Sequence, residues 1–234
     1  MKKLCYFFLS ILMISCSSTS STLDTSSNQT PEDPRYSYLA LGDSYTIGES
    51  VVETQRWPVQ LAEQLRARGY KMAAPKIIAK TGWTTRDLLD GIERELDVQR
   101  DYDLVSILIG VNNQYQGKPL SEYEEELRTV FRKAVNHSRR MEKGVFAVSI
   151  PDYGYTPFGA RDREKISEEI DRFNAVFRRV AEDFGVEFFN ITPISRQGIE
   201  EPELIASDDL HPSGLMYSYW VNHFVNQVAD KLPQ

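Results

Sequence analysis

Residues 36–45 read Tyr36-Ser37-Tyr38-Leu39-Ala40-Leu41-Gly42-Asp43-Ser44-Tyr45. The near-continuous apolar run from Tyr36 to Leu41 predicts a strand covered on both faces, as in a parallel sheet with helices on either side. It stops at Gly-Asp-Ser, residues that favour turns. Four more short apolar runs follow the same rule: Lys76–Ala79, Leu104–Ile109, Val145–Ile150 and Val186–Asn190. Amphipathic stretches lie between them. Trp57–Arg68 carries Pro58 near its first turn, where a missing N–H costs nothing. Ser121 and Glu124 have capping-box spacing ahead of a long helix whose face repeats Tyr123, Leu127, Val130, Phe131, Ala134 and Met141. Ile166, Ile170, Phe173, Phe177, Val180 and Phe184 mark another helix, and Leu215 to Leu232 the last. Five strand-then-helix units imply right-handed crossovers. The expected fold is therefore a three-layer α/β/α sandwich on a five-stranded parallel sheet, spanning residues 36–234.

The chain ahead of that domain differs in kind. Lys2 and Lys3 precede Leu4 to Ile14, an apolar run of helical length about 16 Å, half a bilayer core. Residues 1–15 thus read as a signal peptide and not as a membrane span. Met13-Ile14-Ser15-Cys16 resembles a bacterial lipobox, which implies cleavage before Cys16 and lipid on its sulfur. Residues 16–35 are rich in Ser and Thr and almost lack apolar side chains, so they read as a tether. Both cysteines, Cys5 and Cys16, lie in this leader, which excludes a disulfide framework in the domain.

Lys+Arg number 27 against 34 Asp+Glu, a formal net charge of −7, and removal of Lys2 and Lys3 makes the mature chain more acidic. That balance argues against nucleic acid as a partner. It also means that attachment to an anionic membrane would come from lipid chains and not from a basic patch. The expected location is a bacterial cell envelope, on the periplasmic or surface side.

In a parallel sheet of this kind ligands bind beyond the carboxyl ends of the strands, so the residues after each strand carry the functional reading. After the first come Gly42-Asp43-Ser44-Tyr45, where a serine in a strand-to-helix turn presents its hydroxyl above the sheet. After the second come Thr81-Gly82-Trp83-Thr84. Gly82 permits close backbone approach and its N–H suits an oxyanion, while Thr84 is placed to cap the next helix. After the third come Gly110-Val111-Asn112-Asn113, and the Asn112 amide donates without changing protonation. Before the last helix come Ser207-Asp208-Asp209-Leu210-His211-Pro212. A carboxylate three residues before a histidine can bond its Nδ1–H and leave Nε2 as a base. Of the three histidines, His137 and His223 fall inside predicted helices, and only His211 lies on a loop. Taken singly, each block is also ordinary turn chemistry.

Together, in this order, the four blocks resemble the SGNH (GDSL-type) hydrolase family along nearly all of residues 36–234. The resemblance implies a flavodoxin-like fold and hydrolysis of a carboxylic ester, acyl or acetyl, with no metal and no cofactor. It implies Ser44 as nucleophile, His211 as base and Asp208 as its partner. The Ser44 N–H, the Gly82 N–H and the Asn112 side chain would form the oxyanion hole. Tyr45 stands where the family name has leucine, a change expected not to touch catalysis. Asp209 stands where glycine is frequent, which leaves two candidate carboxylates for His211, with Asp208 favoured by the family spacing.

The expected substrate is a small-molecule or glycan ester. Tyr45, Trp83, Tyr115, Tyr153, Tyr155 and Phe158 fall in predicted loops near the strand ends, as pocket walls or loop anchors. Pro151 to Arg161, with Gly154, Pro157 and Gly159, has the composition of a mobile lid. A metal-dependent phosphoesterase would draw on Asp43, Asn113, Asp208 and His211, but needs more ligands than these loops offer. A non-catalytic envelope lipoprotein on the same fold is the other alternative.

Overall fold

The computed structural model describes residues 33–96 and 102–233. The signal segment, Cys16 and nearly all of the tether lie outside those residues. Five strands form one parallel sheet: β1 (Tyr38–Gly42), β2 (Lys76–Ala79), β3 (Leu104–Leu108), β4 (Val145–Val148) and β5 (Glu187–Phe189), in the order β2-β1-β3-β4-β5. The three central strands are buried at every position, whereas β2 and β5 at the edges are partly open. That is why the central three read as unbroken apolar runs in the sequence.

The helices are α1 (Ser44–Ile47), α2 (Trp57–Ala67), α3 (Thr85–Glu95), α4 (Val111–Tyr115), α5 (Leu120–His137), α6 (Arg163–Asp183), α7 (Thr192–Ser195) and α8 (Gly214–Ala229). Helix α2 packs on α8, while α3, α5 and α6 pack in series as the other layer. Trp57, Phe146, Phe189 and Phe224 meet ring to ring where α2 and α8 cover the sheet. Among the described residues no helix is long and apolar enough to cross a membrane.

Two local expectations are corrected. Helix α5 begins at Leu120 with Pro119 as its cap, so Ser121 and Glu124 form no capping box. The Pro119 carbonyl accepts the Tyr123 N–H, and the fixed proline φ of −60° starts the helix two residues earlier. Met141 lies beyond α5 at φ +55°, in a short turn leading to β4, and only repeats the helical spacing by coincidence.

The strand order places a topological switch between β1 and β3, where the chain moves out to β2 and returns on the other side of β1. The register levels the strand ends, with Gly42 opposite both Ala79 and Leu108. The turns that carry Ser44, Gly82 and Asn112 therefore emerge side by side over the crevice at which such sheets bind ligands.

Candidate active site

Ser44 opens α1, and Asp43 caps it. The Asp43 side chain accepts the Tyr45 N–H at 3.1 Å, and its carbonyl accepts those of Thr46 and Ile47. The Ser44 N–H is left as the first helix donor, with no intrahelical acceptor. Gly42 is required by close approach: a Cβ there would collide with Thr46 and with the Leu108 carbonyl. The turn is sealed, with Asp43 fully buried and Ser44 nearly so. Burial pushes the Asp43 carboxyl up to about 7, against hydrogen bonds from the Tyr45, Asp43 and Gly110 backbone. Its Oδ2 is buried with no hydrogen-bond partner.

Gly82 has φ +82°, and the space where a Cβ would point is empty, so the backbone conformation and not crowding calls for glycine. Thr84 caps α3 in a reciprocal capping box with Asp87, so this segment combines a capping role and a wall of the site. Asn112 Nδ2 donates to the Trp83 carbonyl at 3.0 Å, which uses one amide hydrogen and leaves the other. Behind it, buried Asn113 exchanges hydrogen bonds with Thr85, whose hydroxyl donates to Glu126, itself paired with Arg86 at 2.9 Å. This network fixes the turn after β3 to the start of α3.

His211 Nδ1 lies 2.6 Å from Asp208 Oδ2. Asp208 Oδ1 accepts the backbone N–H groups of Leu210 and His211 at 3.0 and 2.9 Å, which closes the loop on itself. Ser50 Oγ donates to Asp208 Oδ2 at 2.6 Å. Partial burial would raise the Asp208 carboxyl, but the Ser50 hydroxyl, the two backbone N–H groups and the His211 ring outweigh it and hold it far below the usual carboxylate range. Asp209 instead adopts φ +63°, a conformation that glycine takes without strain, and its carbonyl accepts the Phe158 N–H.

A cavity of about 200 Å³ is lined by Ser44, Gly82, Asn112 and His211 together with Tyr45, Thr81, Val111, Tyr115, Tyr153, Phe158 and Leu210. Four sequence blocks thus converge on one opening. His137 is buried in the last turn of α5 and His223 is exposed on α8, both away from it. Among the described residues, no group of three His, Cys, Asp or Glu side chains is disposed to hold a metal.

A GDSL-like lipase/acylhydrolase family model matches residues 40–219. The chain belongs to that family. It is accordingly a hydrolase-family enzyme acting on ester bonds. Its fold is shared with crystal structures at low identity. The lipase/acylhydrolase from Enterococcus faecalis is 18% identical with TM-score 0.67, over 85% of this chain and 97% of that one. Axe2, an acetylxylan esterase from Geobacillus stearothermophilus, is 19% identical with TM-score 0.64, over 83% and 94%. TesA is 19% identical with TM-score 0.64, over 84% and 99%. No curated protein matches the sequence.

Some site features differ from the sequence reading. Tyr45 packs beside the candidate base, its ring centroid 5.4 Å from that of His211. Trp83 turns away from the cavity to pack on Gly91 and beneath Arg94. Tyr155 also lies outside, its ring 5.0 Å from the Arg163 guanidinium and 6.0 Å from that of Arg196. The segment after β4 is tied down: Asp152 pairs with Arg196, Tyr153 and Gly154 are buried, and Phe158 is bonded to Asp209. Ser50 had no signal in any motif, because its partner is 158 residues away.

Proposed function

We propose that the protein is an extracytoplasmic serine esterase that cleaves carboxylic esters through Ser44, His211 and Asp208. The observation that carries this reading is the single cavity lined by Ser44, Gly82, Asn112 and His211, with Asp208 bonded to the far ring nitrogen of His211. Ser44 Oγ attacks the ester carbonyl while His211 Nε2 takes its proton. Asp208 keeps Nδ1 protonated and supports the imidazolium that forms. The tetrahedral oxyanion is held by the Ser44 N–H, the Gly82 N–H and the free hydrogen of the Asn112 amide. Collapse expels the alcohol with the proton from His211. Water then attacks the acyl-Ser44 ester, with His211 as base again, and restores the hydroxyl.

The location rests on the sequence: Lys2-Lys3, the apolar run Leu4 to Ile14, and Cys16 as the lipid-bearing residue of a tethered, membrane-attached domain. Labelling of the full chain with a fluorophosphonate, mapped by mass spectrometry, tests the chemistry. A label on Ser44 that is absent from Ser44→Ala supports it. A folded protein that takes no label returns the chain to a binding role. The anchor is tested separately, by the lipid-shifted mass of an N-terminal Cys16 peptide and its loss in Cys16→Ala.

A further inference from the structure

Of the five large apolar side chains that stand exposed among the described residues, two lie on the rim of this one cavity: Tyr115 at 61% and Phe158 at 52%. Exposed apolar surface gathered at one place marks a binding surface. The two rings do not stand alone. Tyr115, Tyr153 and Phe158 lie with centroids 6.2, 6.3 and 6.2 Å apart, each ring in contact with the other two. The backbone under them is fixed from several sides. Tyr115 ends α4, Tyr153 follows the Asp152–Arg196 pair, and the Phe158 N–H is held by the Asp209 carbonyl. The result is a preformed aromatic shelf beside Ser44.

We propose that this shelf holds the acyl chain of the substrate, and that the enzyme prefers esters of medium-chain fatty acids to acetyl esters. This deepens the esterase reading above and rests on it. The lining decides the chemistry. Apart from His211 it carries no charged side chain, and away from Ser44, Asn112 and His211 its side-chain polar atoms are the Thr81 hydroxyl and the phenol groups of Tyr45, Tyr115 and Tyr153, so apolar surface predominates. An apolar chain needs none of these. Position decides which side of the ester lies there. Tyr115 follows Asn112 by three residues on α4, which puts it on the same helix face, on the oxyanion side of the cavity. The carbonyl and its acyl substituent occupy that side, whereas the alcohol leaves towards the proton on His211. A cavity of about 200 Å³, part of which the ester group itself takes, has room for a short acyl chain and not a long one. The preference should therefore level off near hexanoyl.

Full burial of one methylene is worth about fourfold in binding. On a shelf open to solvent on one side, about twofold is expected for each of the four added, hence roughly fifteenfold in kcat/KM from acetyl to hexanoyl. The test is two ester series on the full chain: p-nitrophenyl esters of lengthening acyl chain, and acetates of lengthening alcohol. Wild type should climb along the first series and stay flat along the second. Phe158→Ala and Tyr115→Ala should each reduce the hexanoyl-to-acetyl ratio several-fold. A flat acyl series, a rise along the alcohol series instead, or an unaltered ratio in both variants overturns the proposal. Loss of all turnover, together with no fluorophosphonate label at Ser44, is the failure of the esterase reading and is recognised as such. The shelf is still read without turnover, by calorimetric binding of methyl hexanoate to Ser44→Ala. Binding weakened by adding Phe158→Ala upholds the shelf, and binding that is absent or indifferent to it does not.

Discussion

Ser50 Oγ and His211 Nδ1 meet the same oxygen of Asp208, each at 2.6 Å, so a loop that leaves α1 braces the carboxylate beside the candidate base. Ser50 reaches it from φ +64°, a left-handed conformation that a non-glycine residue keeps only when its surroundings hold it there. The loop is held again by Glu49, which accepts a hydrogen bond from the Thr81 hydroxyl next to Gly82. Without the Ser50 hydroxyl, Asp208 keeps its two backbone donors and its bond to His211, but holds a proton more tightly. Ser50→Ala should lower kcat about threefold to tenfold, the effect of one hydrogen bond to a charged, partly exposed group. It should also move the acid limb of the kcat/KM profile to higher pH, and Ser50→Thr should recover most of both. An acid limb that coincides with wild type would reduce Ser50 to a loop contact.

Asn112 is the proposed oxyanion donor whose orientation is set by a partner outside the reaction, the Trp83 carbonyl. Asn112→Ala should therefore remove a pre-aimed donor and lower kcat by roughly 10²–10³, about 3–4 kcal/mol. KM should change much less, because the bond strengthens only as the oxyanion forms. Steady-state kinetics on a soluble ester decides it. An unaltered kcat would remove Asn112 from the oxyanion role.

The sheet was legible because β1, β3 and β4 are buried on both faces and their burial is written as unbroken apolar runs. The three blocks after the strands, and the fourth ahead of α8, were legible for a related reason: each brings a particular atom to one cavity within a few residues. What stayed hidden depends on distant partners. Trp83 and Tyr155 are aromatic and follow strand ends as Tyr115 and Phe158 do, yet they pack against Arg94 and against Arg163 and Arg196 instead. No local pattern carries that information. Asp209 was legible as an oddity, and its φ of +63° supplies the reason that glycine suits the position.

Asp43 carries a pH dependence of stability. Burial raises its carboxyl from 3.8 in the open chain to about 7 in the fold. Between about pH 4 and 7 the folded protein keeps a proton that the unfolded chain has released. Stability from this group is thus whole below pH 4, falls as pH rises through that window, and is lost above about 7. Asp43→Asn keeps the acceptor for Tyr45 N–H and removes the titration. From pH 5 to pH 8 wild type should lose up to about 3 kcal/mol more than Asp43→Asn. Thermal unfolding of both proteins at the two pH values measures it, and parallel shifts would mean that Asp43 is ionised throughout.

Arg196 should matter to stability although it is distant from the reacting centre. Its Nε donates to Asp152 Oδ2 at 2.9 Å and its Nη2 to Asp171 Oδ1 at 2.7 Å. The Asp152 side chain is fully buried, and its other partner is the Gly154 N–H at 2.9 Å. Arg196→Ala leaves a sealed carboxylate without its cation, a change that costs about 3 kcal/mol, at the low end for buried pairs because the guanidinium is itself partly exposed. For a domain of this size that is a fall in Tm of about 6–12 °C. Arg196→Lys returns the charge but not the two-pronged fork, so it should recover only part of the loss. The segment from Asp152 to Phe158 carries two of the three shelf rings, so Arg196→Ala should also erode the preference for hexanoyl over acetyl esters. Calorimetry and the ester ratio on the same sample separate the two effects: a lowered Tm with an unaltered ratio would mean that the pair holds the fold together without positioning the rings.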